Sequence, residues 1–336
     1  MWSLFFPLRA WLGEYRQVTP ELVEMALLCA ASWSFERASE VLRRLTGVSL
    51  SSSEIHALCQ EEGECAKAFA EESSEAVVAK AKADYSGRRD SRRVYTGFDG
   101  VWVGSRESKG GVEGKVGILF EEDPENLVEV SRKRQVILSK RYVGSFMGWR
   151  PMADQADREA WSRGWETARA TVYGDGASWI GSVRDEVFPG SQLILDWWHL
   201  KEKLRRCLHA VVENKSERRR IQKVAQDHLW RGDWRAALAE LSVHPHDTTQ
   251  HREAMREITS YIRNQSGGII NYGSWRDAGR RVSTSTVEKT GDPIVARRMK
   301  HQGISWTRRG ADRITALRIC LLNQGWDAFQ KTRKAA

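Results

Sequence analysis

The stretch Arg169–His199 (RATVYGDGASWIGSVRDEVFPGSQLILDWWH) sets the frame for the rest of the chain. It holds two short apolar runs, each ending in an acid. Ala170-Thr171-Val172-Tyr173-Gly174 ends in Asp175, and Gln192-Leu193-Ile194-Leu195 ends in Asp196. A helix-like segment and the turn Phe188-Pro189-Gly190 lie between them. Such runs, bounded by Gly and Pro and joined through a helical segment, predict parallel strands of an α/β sheet. Carboxylates just past the carboxyl ends of parallel strands stand where open α/β sheets place their ligands.

Three strand candidates precede this stretch: Val94–Val103, with Asp99 inside it, then Lys115–Phe120, then Arg134–Gly144. Their short connections predict an antiparallel meander. Residues 153–168 read as a helix leading into the strand that ends at Asp175. Three strands, helix, strand, helix, strand is the order of a ribonuclease-H-like mixed sheet. In that fold the first and fourth strands are neighbours, so Asp99 and Asp175 are expected to approach each other.

The flanks read as helical. Residues 1–75 form a helical domain. Thr19-Pro20 opens one helix, Ser34–Leu45 is amphipathic and stops at Thr46-Gly47, and Ser51-Ser52-Ser53-Glu54 is a capping-box pattern. Helix, break, helix is compatible with a helix-turn-helix DNA reader, and a plain helical bundle gives the same pattern. Residues 76–93 read as a basic linker, and 94–199 as the first part of the catalytic core. Residues 200–282 read as an all-α insertion, and 283–336 as C-terminal helices completing the core, the last of them from Arg308 to Trp326.

Fifty-three Lys and Arg against 44 Asp and Glu give a formal charge of +9. This favours a polyanionic partner such as nucleic acid, with general solubility as the plain alternative. The five cysteines are scattered without a CxxC pair. That argues against a zinc ribbon or disulfide framework and for a reducing compartment. No apolar run reaches membrane-spanning length, so no membrane partner is expected.

Asp99, Asp175 and Glu288 are the candidate catalytic and metal-binding acids. Two Mg²⁺ ions, with Mn²⁺ as a substitute, need hard oxygen ligands of this kind. Such a pair, about 4 Å apart, serves phosphodiester chemistry. An Asp before Gly, as at both aspartates, is also a common turn residue, and a Glu on a polar helix is usually solvated. Asp292 and Asp277 compete with Glu288 for the third place. Asp196 and His199 form a candidate accessory pair, with His199 orienting a phosphate or water or else simply packed. Lys289, Arg297, Arg298 and Lys300 are candidate phosphate contacts. Trp306, like Trp275, sits among arginines in a pattern that stacks on bases or belongs to a core.

Together these features resemble bacterial insertion-sequence transposases of the DDE type, in the Mutator-like branch. The resemblance rests on Phe98-Asp99-Gly100, on Tyr173-Gly174-Asp175-Gly176-Ala177-Ser178-Trp179-Ile180, on Phe188-Pro189 and on Asp196-Trp197-Trp198-His199. It continues in Ser285-Thr286-Val287-Glu288, Arg298-Met299-Lys300, Gly303-Ile304-Ser305-Trp306, and Ser34-Phe35-Glu36-Arg37-Ala38. It implies a metal-dependent DNA strand transferase with Asp99, Asp175 and Glu288 as its triad. It also implies double-stranded DNA (element ends and target) as partner, a homodimer or larger assembly, and work at the nucleoid in the bacterial cytoplasm. Relatives often carry a cysteine-rich zinc-binding segment ahead of a stretch like Phe6-Pro7-Leu8, and none stands here, so an N-terminally shortened copy is expected. The alternatives are an inactive DNA-binding remnant and a ribonuclease-H-like nuclease.

Overall fold

The computed structural model describes residues 18–84, 92–131, 134–165, 169–243, 248–282, 291–301 and 303–335. Helix α1 (Pro20–Ser32) has proline in its first turn and the Thr19 hydroxyl accepting from Leu22 N. Helix α2 (Phe35–Thr46) starts on Ser34 and stops at Gly47, whose φ of 75° is the left-handed cap that glycine adopts without penalty. Helix α3 (Ser52–Ala83) opens on the Ser51/Glu54 capping box. It runs beyond residue 76, where the linker was expected, because the Ala-, Lys- and Glu-rich segment Glu75–Ala83 has high helix propensity.

The central sheet contains β1 (Arg93–Val103), β2 (Val112–Glu121), β5 (Arg141–Ser145), β6 (Arg169–Gly174) and β7 (Gln192–Leu195), in the order β5-β2-β1-β6-β7. β2 runs antiparallel to β1 and β5, while β1, β6 and β7 are parallel. The fold is therefore mixed α/β, and the strand that ends before Asp175 lies beside β1.

The third predicted strand divides in two. Its first part is β4 (Arg134–Ile137), which pairs with β3 (Leu127–Ser131) in a separate ribbon, and its second part is β5. Asn126 makes the break: its amide accepts from Ser139 N at 2.6 Å and donates to the Ser139 and Glu121 carbonyls at 2.9 Å. Those backbone groups leave the ladder.

Helices cover both sheet faces. α4 (Trp149–Ser162) and α5 (Ser178–Val187) close one face over Val94, Phe98, Leu119 and Val172. The other face, with Tyr95, Val116, Tyr173 and Ile194, belongs to a larger core shared with α1–α3 and the C-terminal helices. Gly63 of α3 lies so close to α11 (Arg308–Leu322) that a Cβ there would sit 2.6 Å from Arg313 Cβ.

After β7 the described residues are helical: α6 (Trp197–Val211), α7 (Lys215–Trp230), α8 (Trp234–Ser242), α9 (Thr249–Asn264) and α10 (Tyr272–Asp277). The expected last helix ends at Leu322 instead of Trp326, and α12 (Trp326–Ala335) follows. Asn323 turns away because its side chain binds the Tyr142 N–H and carbonyl, both at 2.8 Å. Among the described residues no helix is long and apolar enough to cross a membrane.

Candidate functional site

The sheet registers align three acids. Gly97 lies opposite Tyr173 across β1 and β6, and Gly174 opposite Leu195 across β6 and β7. Continued by two residues and one residue, these registers put Asp99, Asp175 and Asp196 in a single row. By pleat alternation all three share the face of Tyr95, Tyr173 and Ile194, on strands spaced about 4.8 Å apart. Tyr95 stacks on both Phe120 and Tyr173, with ring centroids 4.6 and 4.4 Å away, and forms a rigid floor beneath the row.

Each acid is held by local backbone. Asp99 is half-buried on β1, with Oδ1 2.8 Å from Gly100 N. Asp175 Oδ1 accepts from Ala177 N at 2.9 Å, an Asx turn that launches α5. The turn needs Gly176, whose φ is 92°. Asp196 is fully buried and caps α6, accepting from Trp198 N at 2.9 Å through Oδ1. Its Oδ2 lies 2.7 Å from His199 Nδ1.

The helical insertion returns to this edge. From α9, Tyr261 donates its hydroxyl to the Asp175 carbonyl at 2.7 Å, and Gln265 Nε2 donates to the Gly176 carbonyl at 2.9 Å. From α10, Tyr272 donates to the Leu195 carbonyl at 2.8 Å. Burial, then the charges of Asp175 and Asp196, push the Tyr261 phenol up, so it stays a donor. Neither Tyr261 nor Gln265 carries a sequence signal of its own, because Tyr261 is an ordinary residue of an amphipathic helix, Gln265 is the residue just past its end, and their partners lie far away in the chain.

His199 reports the field of the row. Burial pulls its pKa down, but the Asp196 hydrogen bond and the charges of Asp196, Asp175 and Asp99 outweigh that, and the net shift is upward. Nδ1–H donates to Asp196, so the titrating proton sits on Nε2.

A family model matches residues 15–331, nearly the whole chain. The chain belongs to UPF0236. This is an uncharacterised protein family, and no curated protein matches the chain.

In this UPF0236 chain the carboxylates of Asp99 and Asp175 are hard oxygen donors of the kind that Mg²⁺ takes. Among the described residues no three acidic, histidine or cysteine side chains converge to hold a metal by themselves. The third expected ligand, Glu288, and its neighbour Lys289 lie outside the described residues. The competing acids sit elsewhere: Asp292 pairs with Arg297 Nε at 2.6 Å, and Asp277 is exposed.

The expected DNA contacts of this UPF0236 chain divide. Arg297 and Lys300 are exposed. Arg298 and Trp306 are not surface residues: they are 1% and 4% exposed, which corrects the expectation of direct DNA contact. The Arg298 guanidinium lies between the rings of Phe35 and Trp306, 4.7 and 5.1 Å from their centroids, and donates to the Ala30 carbonyl at 2.6 Å. It thereby satisfies an orphan carbonyl in the last turn of α1. Trp275 is structural as well, donating to the Tyr173 hydroxyl at 3.2 Å.

Proposed function

We propose that this chain is a transposase of the DDE type that cleaves DNA at the ends of an insertion sequence and joins it to a target. The observation that carries the reading is the single row of Asp99, Asp175 and Asp196 across three adjacent parallel strands, within β1 and just past the ends of β6 and β7. The strand order β5-β2-β1-β6-β7, with three antiparallel strands followed by two parallel ones, supports a ribonuclease-H-like core. Residues 94–199 and 283–336 would build that core, with 200–282 as its helical insertion.

Asp99, Asp175 and Glu288 would hold two Mg²⁺ ions, or Mn²⁺, which when bound activate a water or a 3′-hydroxyl and stabilise the leaving oxygen. Tyr261 and Gln265 fix the backbone that carries Asp175. Asp196 orients His199 and favours a proton on Nε2, and the imidazolium then faces a phosphate beside the row. The net positive charge and the exposed Arg297 and Lys300 favour a DNA backbone. In this reading the protein works at the bacterial nucleoid as a dimer or larger assembly on double-stranded DNA.

The test incubates the purified chain with labelled DNA from the flanks of its own coding sequence, in Mg²⁺ or in Ca²⁺, beside Asp175→Ala. Nicked and joined products that require Mg²⁺ and Asp175 are the expected result. Cleavage by Asp175→Ala at the wild-type rate would overturn the assignment. Tight DNA binding without cleavage would favour a non-catalytic DNA-binding protein, and cleavage of RNA–DNA hybrids alone would favour a nuclease.

A further inference from the structure

The positive charge of this chain is concentrated. Between Trp197 and Arg231, across α6 and α7, stand ten Lys and Arg against four Asp and Glu, a net +6 of the chain's +9. On α7, Lys215, Arg219 and Lys223 recur every fourth residue, so they share one face and lie about 6 Å apart along the axis. All three are exposed, and among the described residues no carboxylate pairs with any of them. The exposed Asp227 ends the stripe. Like charges four residues apart oppose helix formation, so the stripe does nothing for α7 itself.

The cations continue onto α6, back to the row of acids. His199, Lys203 and Arg206 (i, i+4 and i+7) share one face of that helix. The Lys203 ammonium lies 4.6 Å from the centroid of the Tyr261 ring, whose hydroxyl binds the Asp175 carbonyl. The acids beside these groups are few. Glu202 takes both Arg205 and Arg206, at 2.7 and 3.1 Å, Glu257 lies 3.9 Å from Lys203, and Glu240 lies 3.4 Å from Arg220. Cations of the two helices act on one surface: desolvation and then the charges of Arg218 from α7 and Arg205 from α6 lower the pKa of the exposed His209.

We propose, on the reading of the row as a DNA site, that the exposed face of α6 and α7 holds the phosphate backbone of the duplex that runs on from it. A stripe of regularly spaced cations fits a polyanion whose charges recur along a rod. Between Lys215 and Leu229 the sequence has no Trp, Tyr or Phe. α7 therefore offers no platform on which unpaired bases stack, and its contacts are to backbone and independent of sequence. Along α6, Arg206 stands about 10 Å beyond His199, about three base pairs of duplex. One duplex thus reaches both the acids and the stripe.

The test measures binding of the full chain to a labelled duplex of about 30 base pairs, three helical turns, by fluorescence anisotropy in EDTA, so that no cleavage intervenes. Salt is varied from about 50 to about 200 mM. Each lost phosphate contact lowers the log–log slope of affinity against salt by about 0.9. Arg219→Gln/Lys223→Gln should lower it by about 1.8, and Lys215→Gln added to that pair by about 2.7 in all. Both variants should unfold at the wild-type temperature or above it, because like-charge repulsion is relieved. Lys80→Gln/Lys331→Gln removes two exposed cations from α3 and α12 and should leave the slope unchanged. Slopes unaltered in the stripe variants overturn the proposal, as does an equal fall in the Lys80/Lys331 variant, which would assign the effect to net charge. Loss of binding confined to single-stranded DNA or RNA of the same length also overturns it. A chain that cuts no DNA but shows the expected slopes loses the catalytic reading and keeps this surface. One that cuts DNA through Asp175 with unaltered slopes keeps the reading and loses the surface.

Discussion

His199 Nδ1, in the first turn of α6, stands 2.7 Å from Oδ2 of the wholly buried Asp196 that caps the helix. The pair ties the end of β7 to the first turn of that helix. It also sets a pH dependence, because the folded pKa of His199 is raised by Asp196 and the nearby acids against the opposing effect of burial. A raised folded pKa means that the pair's contribution is fully present below the unfolded histidine value of about 6.5. It is lost as pH rises through the raised folded value. His199→Gln should therefore cost about 1.5 kcal/mol at low pH and less above the raised value. Urea unfolding of both proteins at two pH values on either side of that window checks this. A penalty that grows with pH would contradict the sign.

Asp99→Asn and Asp175→Asn should leave the fold intact, since both side chains are only half-buried and asparagine keeps their shape. In the proposed reaction each should lower metal-dependent cleavage on the order of a thousand-fold, equivalent to about 4 kcal/mol of transition-state stabilisation. Single-turnover cleavage measured alongside the unfolding midpoint separates the two effects. A matching loss of stability would make these acids structural.

Tyr261 reaches from the helical insertion to the carbonyl of Asp175 at 2.7 Å. Tyr261→Phe removes one hydrogen bond and should destabilise the protein by about 1 kcal/mol. Hydrogen exchange should show faster opening confined to the Asp175–Ala177 turn and α9. Protection unchanged at that turn would mean that the insertion does not clamp it.

Gly63 and Arg313 mark the closest approach of α3 and α11, where an added Cβ would meet Arg313 Cβ at 2.6 Å and its carbonyl oxygen at 2.8 Å. Backbone cannot give way as a flexible side chain can. Gly63→Ala should cost about 1–3 kcal/mol through overpacking, despite the better helix propensity of alanine. A stabilised Gly63→Ala protein in a denaturant titration would refute this close approach.

Much of this architecture was legible because its signals are local. Thr19-Pro20, Ser34 and the Ser51/Glu54 box name their own helix starts, since a cap binds an N–H only a few residues away. The strands ending at Asp175 and Asp196 declared themselves by apolar runs between glycine and proline. The pairing of the first strand with the fourth was legible only through the order of the elements, and the Arg134–Gly144 run was divided by Asn126, whose partners lie up to 13 residues away.

By itself, then, the sequence determined most of the helix and strand segments and that acids follow two of the strands. Tertiary structure alone decided that Asp99, Asp175 and Asp196 fall in one row, because register across parallel strands is set by packing and not by any local pattern. It also decided that Arg298 and Trp306 go inside. A charged residue in a basic stretch reads as surface, and only the closure of α1, α2 and the segment before α11 around Arg298 supplies the two rings and the carbonyl that allow its burial.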